Sequence, residues 1–351
     1  MDAGPHNAVT DVAGVLVGHH TRDEPGWLTG VTVVVPPPGT VGGVDVRGGG
    51  PGTRETDLLD PANLVDAVDA VVLAGGSAFG LAACDGVADA VWAAGRGWPV
   101  GPGADERVPI VPGAIVFDLG RAGTWRHHPG PADGAAAHAA ATGGPVPEGP
   151  VGAGTGTRVG GLRGGVGGAS VVLASGTTVA ALVVANAAGE AVGPDGRLLG
   201  APWLLDDETA ALFGPAGPRP PDAAALAAHR ERRREEAEAL RAGRATTLAV
   251  VVTDADLTKA ECRRLATVAH DGMARALSPV HTVFDGDTVF SLATGTRPAP
   301  AGPDLLELHD AAARCVTRAV VRAVVAGTSV DRTADGGVAT PSWRDALPPA
   351  G

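Results

Sequence analysis

The sequence predicts an α/β protein in which two sheets pack face to face and helices cover them. Three observations support this fold class. Short apolar runs rich in β-branched residues, which are typical of buried strands, recur along the 351 residues. Helical patterns lie between these runs, and two long ones follow residue 246. The 53 glycines and 29 prolines supply frequent turns. The same pattern also allows a doubly wound α/β sheet as the alternative.

The N-terminal half contains apolar runs that predict strands and small-residue segments that predict helices. The strands are expected at Val12–His20, Gly30–Val35, Val68–Leu73 and Ala114–Leu119, and the helices at Leu81–Trp92 and Asp133–Ala141. The stretch from Gly42 to Asp57 is too rich in glycine for a packed element and predicts a loop. Glycines beside charged residues suit either a ligand-binding loop or a solvent loop, and we weigh both.

The C-terminal half begins with a hairpin signal. Ser170–Ala174 and Thr178–Ala185 are apolar strands around a Ser-Gly-Thr turn. The dense Arg and Glu run at Ala227–Glu238 predicts a solvated helix that Gly243 and Arg244 close. An apolar strand then starts at Leu248. Thr258 and Glu261 form a capping box for a helix that reaches about Ala276, and a last long helix is expected over Leu305–Val325.

Composition limits the possible partners and compartment. The net charge of −12, with no basic tail, argues against nucleic-acid binding. We find no secretory signal pattern and no apolar run long enough for a membrane span. Three cysteines without paired spacing, Cys84, Cys262 and Cys315, argue against a disulfide framework. We therefore expect a soluble protein in a reducing compartment, the cytoplasm.

Thr246 stands at the junction between the charged helix and the apolar strand. One interpretation is a plain linker that feeds a core strand. The other is that the chain cuts its own Ala245–Thr246 bond, so that Thr246 becomes a new N-terminus. A threonine hydroxyl is a weak nucleophile until a base removes its proton, and the free α-amine of the same residue can be that base. Such an amine titrates near neutral pH, at roughly 7.7–8.0 in peptides.

Two further polar features are candidate site residues. Asp285 and Asp287 point to the same side of an extended backbone, and a close carboxylate pair can hold and pass a proton. Considered by themselves, Asp285-Gly286-Asp287 and the strand-ending Asn186 are more typical of turns. His270 and His281 lack metal-ligand spacing, so we predict neither a metal nor a cofactor.

Several motifs together resemble the self-cleaving P1 peptidases, which include L-aminopeptidase/D-amino-acid esterases, β-peptidyl aminopeptidases and nylon-oligomer hydrolases. The resemblance covers nearly the whole chain in order. Its motifs are Gly48–Asp57, Gly75–Leu81, Gly152–Gly156, Val184–Asn186, Thr246–Asp254, Leu257–Ala260, Ala269–Gly272 and Pro279–Thr288.

The resemblance implies one α-β-β-α sandwich domain of the N-terminal-nucleophile type, self-cleaved into residues 1–245 and 246–351. Thr246 corresponds to the nucleophile and Asn186 to the oxyanion donor. Asp285 and Asp287 correspond to the pair that assists the nucleophile. The family also implies a small peptide or amide substrate and a homotetramer, so we expect a homo-oligomer.

The expected substrate-binding residues are Ser77, Phe79 and Arg163. Two of them depart from the family pattern: Phe79 stands where several members have a tyrosine, and Arg163 where close relatives often have lysine. Since arginine does not release a proton, Arg163 can orient a carboxylate but not act as an acid or base. An aminopeptidase for small N-terminal residues is the leading interpretation. A general amidase or endo-hydrolase, an acyltransferase of the ornithine-acetyltransferase type and a non-enzymatic binding protein are the alternatives.

Overall fold

The computed structural model describes residues 2–239 and 245–350, and most of its strands belong to two five-stranded sheets. The first sheet contains β1 (Leu16–Arg22), β2 (Thr29–Val35), β4 (Thr53–Arg54), β5 (Val71–Ala74) and β6 (Gly113–Ile115). The second contains β3 (Val41–Val46), β7 (Gly165–Val172), β8 (Thr178–Ala185), β9 (Leu248–Ala255) and β10 (Thr288–Arg297). The strand orders are β1-β2-β5-β6-β4 and β7-β8-β9-β10-β3.

Helices and short elements complete the description. The helices are α1 (Ala83–Ala93), α2 (Pro131–Ala139), α3 (Asp206–Phe213), α4 (Ala223–Ala239), α5 (Lys259–Ala276), α6 (Pro303–Val325) and α7 (Trp343–Ala346). The 3-10 turns are Val9–Asp11, Asp57–Leu59, Ser77–Ala82, Gly152–Gly154, Ala201–Trp203 and Thr333–Asp335. Two-residue strands pair as Trp98–Pro99 with Arg107–Val108, Arg158–Val159 with Leu162–Arg163, and Val330–Asp331 with Ala339–Thr340.

Buried side chains divide the molecule into four layers. Val34 and Leu73 of the first sheet share one apolar cluster with Val184, Leu248 and Phe290 of the second, so the sheets pack face to face. The outer face of the first sheet packs on α1 and α2, and that of the second on α5 and α6. The α-β-β-α sandwich is therefore confirmed. None of the helices described is both long and apolar enough to cross a membrane.

Strand register brings distant parts of the chain together around Thr246. Strand β9 runs parallel to β10, with Leu248 opposite Thr288, and antiparallel to β8, with Leu248 opposite Val184. Residues just before β9 must therefore lie between the end of β8 and the segment that precedes β10. Thr246 is placed beside Asn186 on one side and beside 285–287 on the other.

The first part of the Gly42–Asp57 stretch was wrongly predicted to be a loop. Val41–Val46 is an edge strand of the second sheet, paired with β10. The strand contains glycine because α5 packs closely on it: a Cβ on Gly43 would lie 2.5 Å from the main-chain nitrogen of Arg263 in α5. Glycine therefore lets this helix lie against the strand, which an apolar pattern cannot reveal.

Other differences are shifts of boundaries. The first strand begins at Leu16 rather than Val12, and the Ala114–Leu119 strand shortens to Gly113–Ile115. The hairpin, the Thr258-capped helix and the last long helix are confirmed. The charged helix is confirmed as α4, while its expected end at Gly243 and Arg244 lies outside the described residues.

Candidate active site

Thr246 is buried, with 3% of its surface exposed, at the entrance to β9. Its hydroxyl donates a hydrogen bond to the Ala245 carbonyl oxygen at 2.5 Å. Its main-chain N–H donates to the main-chain oxygen of Asn186 at 2.6 Å. The hydroxyl therefore lies directly against the carbonyl of the peptide bond that precedes it. The same nitrogen, as a free amine, would keep an acceptor that fixes its orientation.

The Ala245 carbonyl has a second donor, which the sequence analysis missed. The Gly286 N–H donates to the Ala245 oxygen at 3.0 Å. This bond continues the parallel ladder backwards from β9 and β10, since Ala245 also bridges Asp285 in the parallel sense. A Cβ on Gly286 would lie 2.7 Å from the Thr246 hydroxyl oxygen, so glycine is required by the close approach.

Asp287 is buried and anchors Thr247, the residue after Thr246. One of its oxygens accepts from the Thr247 N–H at 2.7 Å. The other accepts from the His281 N–H at 3.1 Å and lies 2.8 Å from His281 Nδ1. The His281 ring meets the buried His270 ring edge to face, with centroids 4.7 Å apart. Burial lowers the pKa of His270 to about 4, so this ring is neutral at neutral pH.

Asp285 is also buried and has different partners. One oxygen accepts from both the N–H and the hydroxyl of Thr282, at 3.0 and 2.6 Å. The other accepts from the Ala188 N–H at 3.3 Å. The predicted carboxylate pair therefore flanks Gly286. Each carboxylate accepts from two main-chain N–H groups, Asp287 from Thr247 and His281 and Asp285 from Thr282 and Ala188.

The Gly48–Gly50 stretch packs directly on the aspartate segment. Gly50 N–H donates to the main-chain oxygen of Asp285 at 2.8 Å, and Gly48 N–H to the main-chain oxygen of Asp287 at 3.3 Å. A Cβ on Gly48 would lie 2.3 Å from the Asp287 nitrogen. The close approach that these glycines allow is therefore to the protein's own backbone. Their pattern was visible in the sequence, but their partner was not.

Asn186 contacts Thr246 through its main chain, while its side chain joins a polar network. The side-chain oxygen accepts from Arg121 Nη1 at 2.8 Å and from the Arg158 N–H at 3.0 Å. The amide nitrogen donates to the Phe117 oxygen at 3.2 Å. This bond uses one of the two amide hydrogens.

The three residues expected to bind substrate lie on two elements: Ser77 and Phe79 on the 3-10 turn Ser77–Ala82, and Arg163 on the short strand Leu162–Arg163. Ser77 has a left-handed backbone, with φ of 52°, and donates its N–H to the Val116 oxygen. The Phe79 ring is 44% exposed and stacks on His128. Arg163 donates to the main-chain oxygens of Thr155 and Thr328, which favours a structural role. Burial, with Arg158 and Arg332 nearby, lowers the pKa of Arg163 to about 10, so it stays charged at neutral pH.

A cavity of about 390 Å³ opens beside the Ala245–Thr246 bond. None of the three expected substrate residues lines it. Its described lining combines aromatic, apolar and arginine side chains with glycines: Phe117, Leu119, Gly120, Arg121, Gly123, Trp125, Arg158, Gly161, Ala187, Ala188, Arg233, Ala245 and Val338. Phe117 and Trp125 are the aromatic residues of this described lining, and the Phe117 carbonyl accepts from the Asn186 amide.

A family model described as Peptidase family S58 matches residues 7–337. The chain belongs to this peptidase family. It is 46% identical over 361 residues to an uncharacterized aminopeptidase of Mycobacterium tuberculosis, covering 98% of this chain and 99% of the relative. It is 29% identical over 300 residues to the 6-aminohexanoate-oligomer endohydrolase of Paenarthrobacter ureafaciens, covering 84% and 76%.

Solved structures support the same family S58 assignment. A Burkholderia sp. beta-aminopeptidase superposes with a TM-score of 0.71 at 26% identity, covering 98% of this chain and 92% of that one. The L-aminopeptidase D-Ala-esterase/amidase of Ochrobactrum anthropi gives 0.71 at 24% identity, covering 97% and 92%, and is described as a variant of the Ntn hydrolase fold. The resemblance to the P1 peptidases and the fold class are therefore confirmed, and the chain is a peptidase of the aminopeptidase and amidase type.

Proposed function

We propose that the chain is an autoprocessing amide hydrolase whose nucleophile is the hydroxyl of N-terminal Thr246. The observation that carries this proposal is the double hydrogen bond to the Ala245 carbonyl oxygen, from the Thr246 hydroxyl and the Gly286 N–H. A nucleophile and an oxyanion donor thus meet at one peptide bond. Oxyanion donors are effective because they already point to where charge develops.

Processing would proceed as an acyl shift from nitrogen to oxygen. The Thr246 oxygen attacks the Ala245 carbonyl carbon, and the Gly286 N–H binds the oxyanion. The C–N bond then breaks, and the nitrogen takes the proton that the hydroxyl gives up. Water opens the resulting ester, which leaves a carboxylate on Ala245 and a free amine on Thr246. The products are chains 1–245 and 246–351.

In turnover the freed amine serves as the general base for the hydroxyl. The Asn186 main-chain oxygen, 2.6 Å from this nitrogen in the intact chain, would orient it. The Asn186 amide is proposed as a second oxyanion donor. Asp285 and Asp287 assist by holding the backbone on both sides of Gly286, and by accepting a proton once the free terminus rearranges.

Small peptides or amides are the proposed substrates, and release of a small N-terminal residue is the leading activity. The names of the relatives support this reaction class. Endo-cleavage of amide oligomers is the second candidate. It is favoured by the similarity to the oligomer endohydrolase and by a cavity whose described lining holds no acidic side chain for a substrate ammonium. We further propose a single-domain, cytoplasmic homo-oligomer, with a tetramer suggested by family resemblance.

The test compares hydrolysis of alanine p-nitroanilide and N-acetylalanine p-nitroanilide by processed protein. We expect cleavage of the free amine for an aminopeptidase, and equal or faster cleavage of the acetylated form for an endo-hydrolase. The Thr246→Ala variant should cut neither. A primary amine acceptor added to the assay tests acyl transfer. If processed wild-type protein cuts neither anilide, with or without the acceptor, the proposed function is wrong.

A further inference from the structure

We infer that His281 is a positioning residue of this site. Its ring donates a hydrogen bond that keeps the Asp287 carboxylate ionised and directed at the Thr247 N–H, and it thereby holds Thr246 against the carbonyl that it attacks. This rests on the proposed function, because it takes Thr246 as the nucleophile. It adds to that function a further residue and a dependence on pH.

His281 supplies most of the hydrogen bonds that the Asp287 carboxylate accepts. Asp287 is buried, with 1% of its surface exposed. Its Oδ1 accepts from the Thr247 N–H at 2.7 Å, while its Oδ2 accepts from the His281 N–H at 3.1 Å and lies 2.8 Å from His281 Nδ1. A buried carboxylate that loses a donor takes up a proton more readily. The charge of Asp287 therefore depends on His281.

The surroundings of the His281 ring assign its proton to Nδ1. Its Nε2 is buried and has no hydrogen-bond partner among the residues that the structure describes. A proton on Nε2 would be a buried donor without an acceptor, which costs free energy. A proton on Nδ1 points instead at the Asp287 oxygen. The neutral ring thus donates to the carboxylate and leaves Nε2 bare.

His270 of α5 packs on this ring without adding charge. Its Nε2 lies 3.0 Å from the Asp45 main-chain oxygen and must donate, because a carbonyl oxygen only accepts. Burial lowers the pKa of His270 to about 4, so the ring is neutral at neutral pH. The two rings meet edge to face at 80°, which leaves the side chain of His281 only 17% exposed.

The charged groups on the neighbouring elements have partners of their own. On β3, Arg47 donates to the Asp45 carboxylate at 3.0 Å and to the Thr267 main-chain oxygen at 2.9 Å. On the other side of Gly286, Asp285 accepts from Thr282 and Ala188. His281 is therefore the ionisable side chain that contacts Asp287 within the described part of the chain.

The backbone of His281 also supports a role for its side chain. Its φ of 56° lies in the left-handed region, which favours glycine. A side chain in this conformation costs free energy, and the two hydrogen bonds to Asp287 offset that cost. Asparagine tolerates the same conformation. Its side-chain nitrogen is as many bonds from the main chain as Nδ1, so His281→Asn is the conservative variant.

The experiment compares His281→Phe, which keeps a ring but has no donor, with His281→Asn, which keeps a donor. We expect His281→Phe to slow processing about ten-fold or more. After processing is complete, its kcat should fall as much for whichever alanine anilide the wild type cuts. KM should stay within about two-fold, because neither His281 nor Asp287 belongs to the described lining of the cavity. His281→Asn should recover most of the loss.

The pH profile separates a role in charge from a role in shape. At low pH the rates should fall as Asp287 takes up a proton. In His281→Phe this fall should occur about one to two pH units higher than in the wild type, the value of a hydrogen bond to a charged group. In His281→Asn it should stay within about half a unit. His138→Phe, at a partly buried histidine of α2, is the matched control and should change neither rate nor profile.

The tautomer of His281 is measured on the wild type by ¹⁵N NMR at pH 8, with His281→Asn to assign the signal. We predict a proton on Nδ1 and none on Nε2. This measurement and His281→Asn decide the inference if His281→Phe does not fold.

Four results would overturn the inference while the proposed function stands. They are a wild-type kcat in His281→Phe, an unmoved pH profile in that variant, an equal loss in the phenylalanine and asparagine variants, and a proton on Nε2 of the wild type. If the wild type neither processes itself nor cuts either anilide, the inference fails together with the proposed function.

Discussion

The two sides of Thr246 are built in different ways. On the 285–287 side, main-chain ladders, buried carboxylates and close-packed glycines hold the segment around Thr246. On the Ala245 side, a cavity is lined by aromatic and arginine side chains, several of them from irregular segments. The first side depends on strand register, which tolerates little change. The second depends on loop side chains, which can vary while the fold stays the same. The proposed chemistry and the proposed substrate recognition are thus separated in space.

The substitution expected to disturb the 285–287 side most is Gly286→Ala. The new Cβ would lie 2.7 Å from the Thr246 hydroxyl oxygen and 2.8 Å from the Gly50 oxygen, so the hydroxyl and the Gly286 N–H must move apart. We expect processing to slow by roughly 10³ or more, beyond the loss of one oxyanion donor. The measurement is the rate of fragment appearance.

Gly50→Ala is the matched control for this change. The nearest atom to its added Cβ is 3.8 Å away, which is ordinary contact, so processing should continue at nearly the wild-type rate. Equal rates for Gly286→Ala and wild type would show that the Gly286 N–H plays no part at the scissile carbonyl.

Asn186 lies where the two sides meet, and Asn186→Asp tests its donor role. Aspartate keeps the oxygen that accepts from Arg121 and Arg158 but removes the N–H donors. We expect kcat to fall by roughly 10²–10³, as for the loss of one oxyanion donor in a well-studied protease. Asn186→Ala should lose as much. A normal kcat in the aspartate variant would show that Asn186 acts only as a hydrogen-bond acceptor for Arg121 and Arg158.

Asp118 is buried between the cavity residues Phe117 and Leu119 in the sequence, and its protonation should affect stability. Burial raises the pKa of Asp118 to about 6. Since the folded pKa exceeds the unfolded one, the contribution of Asp118 to stability is present at low pH and is lost as pH rises from about 4 through 6. Asp118→Asn should therefore stabilise the protein at pH 7 by about 1–3 kcal/mol. Denaturant midpoints measure this, and a gain that is equal at pH 4 would contradict the buried carboxylate as its source.

The smallest expected effect comes from the apolar wall of the cavity. Phe117→Leu should raise KM several-fold with little change in kcat, because it removes contact area that ground state and transition state share. Phe79→Leu is the paired control outside the described lining and should leave KM within about two-fold. If Phe79→Leu raises KM more than Phe117→Leu does, Phe79 rather than Phe117 contacts the substrate.

The residues that the sequence analysis named lie together on one side of this site but not on the other, for a physical reason. Thr246, Asn186, Asp285 and Asp287 belong to segments next to strands, and strand pairing then brought them together. Ser77 and Arg163 belong to turns and a short ribbon whose directions no periodicity encodes. The Gly286 donor was hidden because a main-chain N–H has no residue type, although the glycine itself was visible. The Val41–Val46 strand was not predicted for a related reason. Its glycines are required by the close packing of α5 and give no apolar pattern.

The most direct test of the account is the intact mass of purified, folded wild-type protein during incubation. We predict two chains that replace the precursor, one ending at Ala245 and one beginning at Thr246, with a summed mass one water above that of the intact chain. Thr246→Ala should stay a single chain under the same conditions. A wild-type protein that keeps only the full-length mass, or is cut at another bond, would contradict the assignment of Thr246 as the nucleophile.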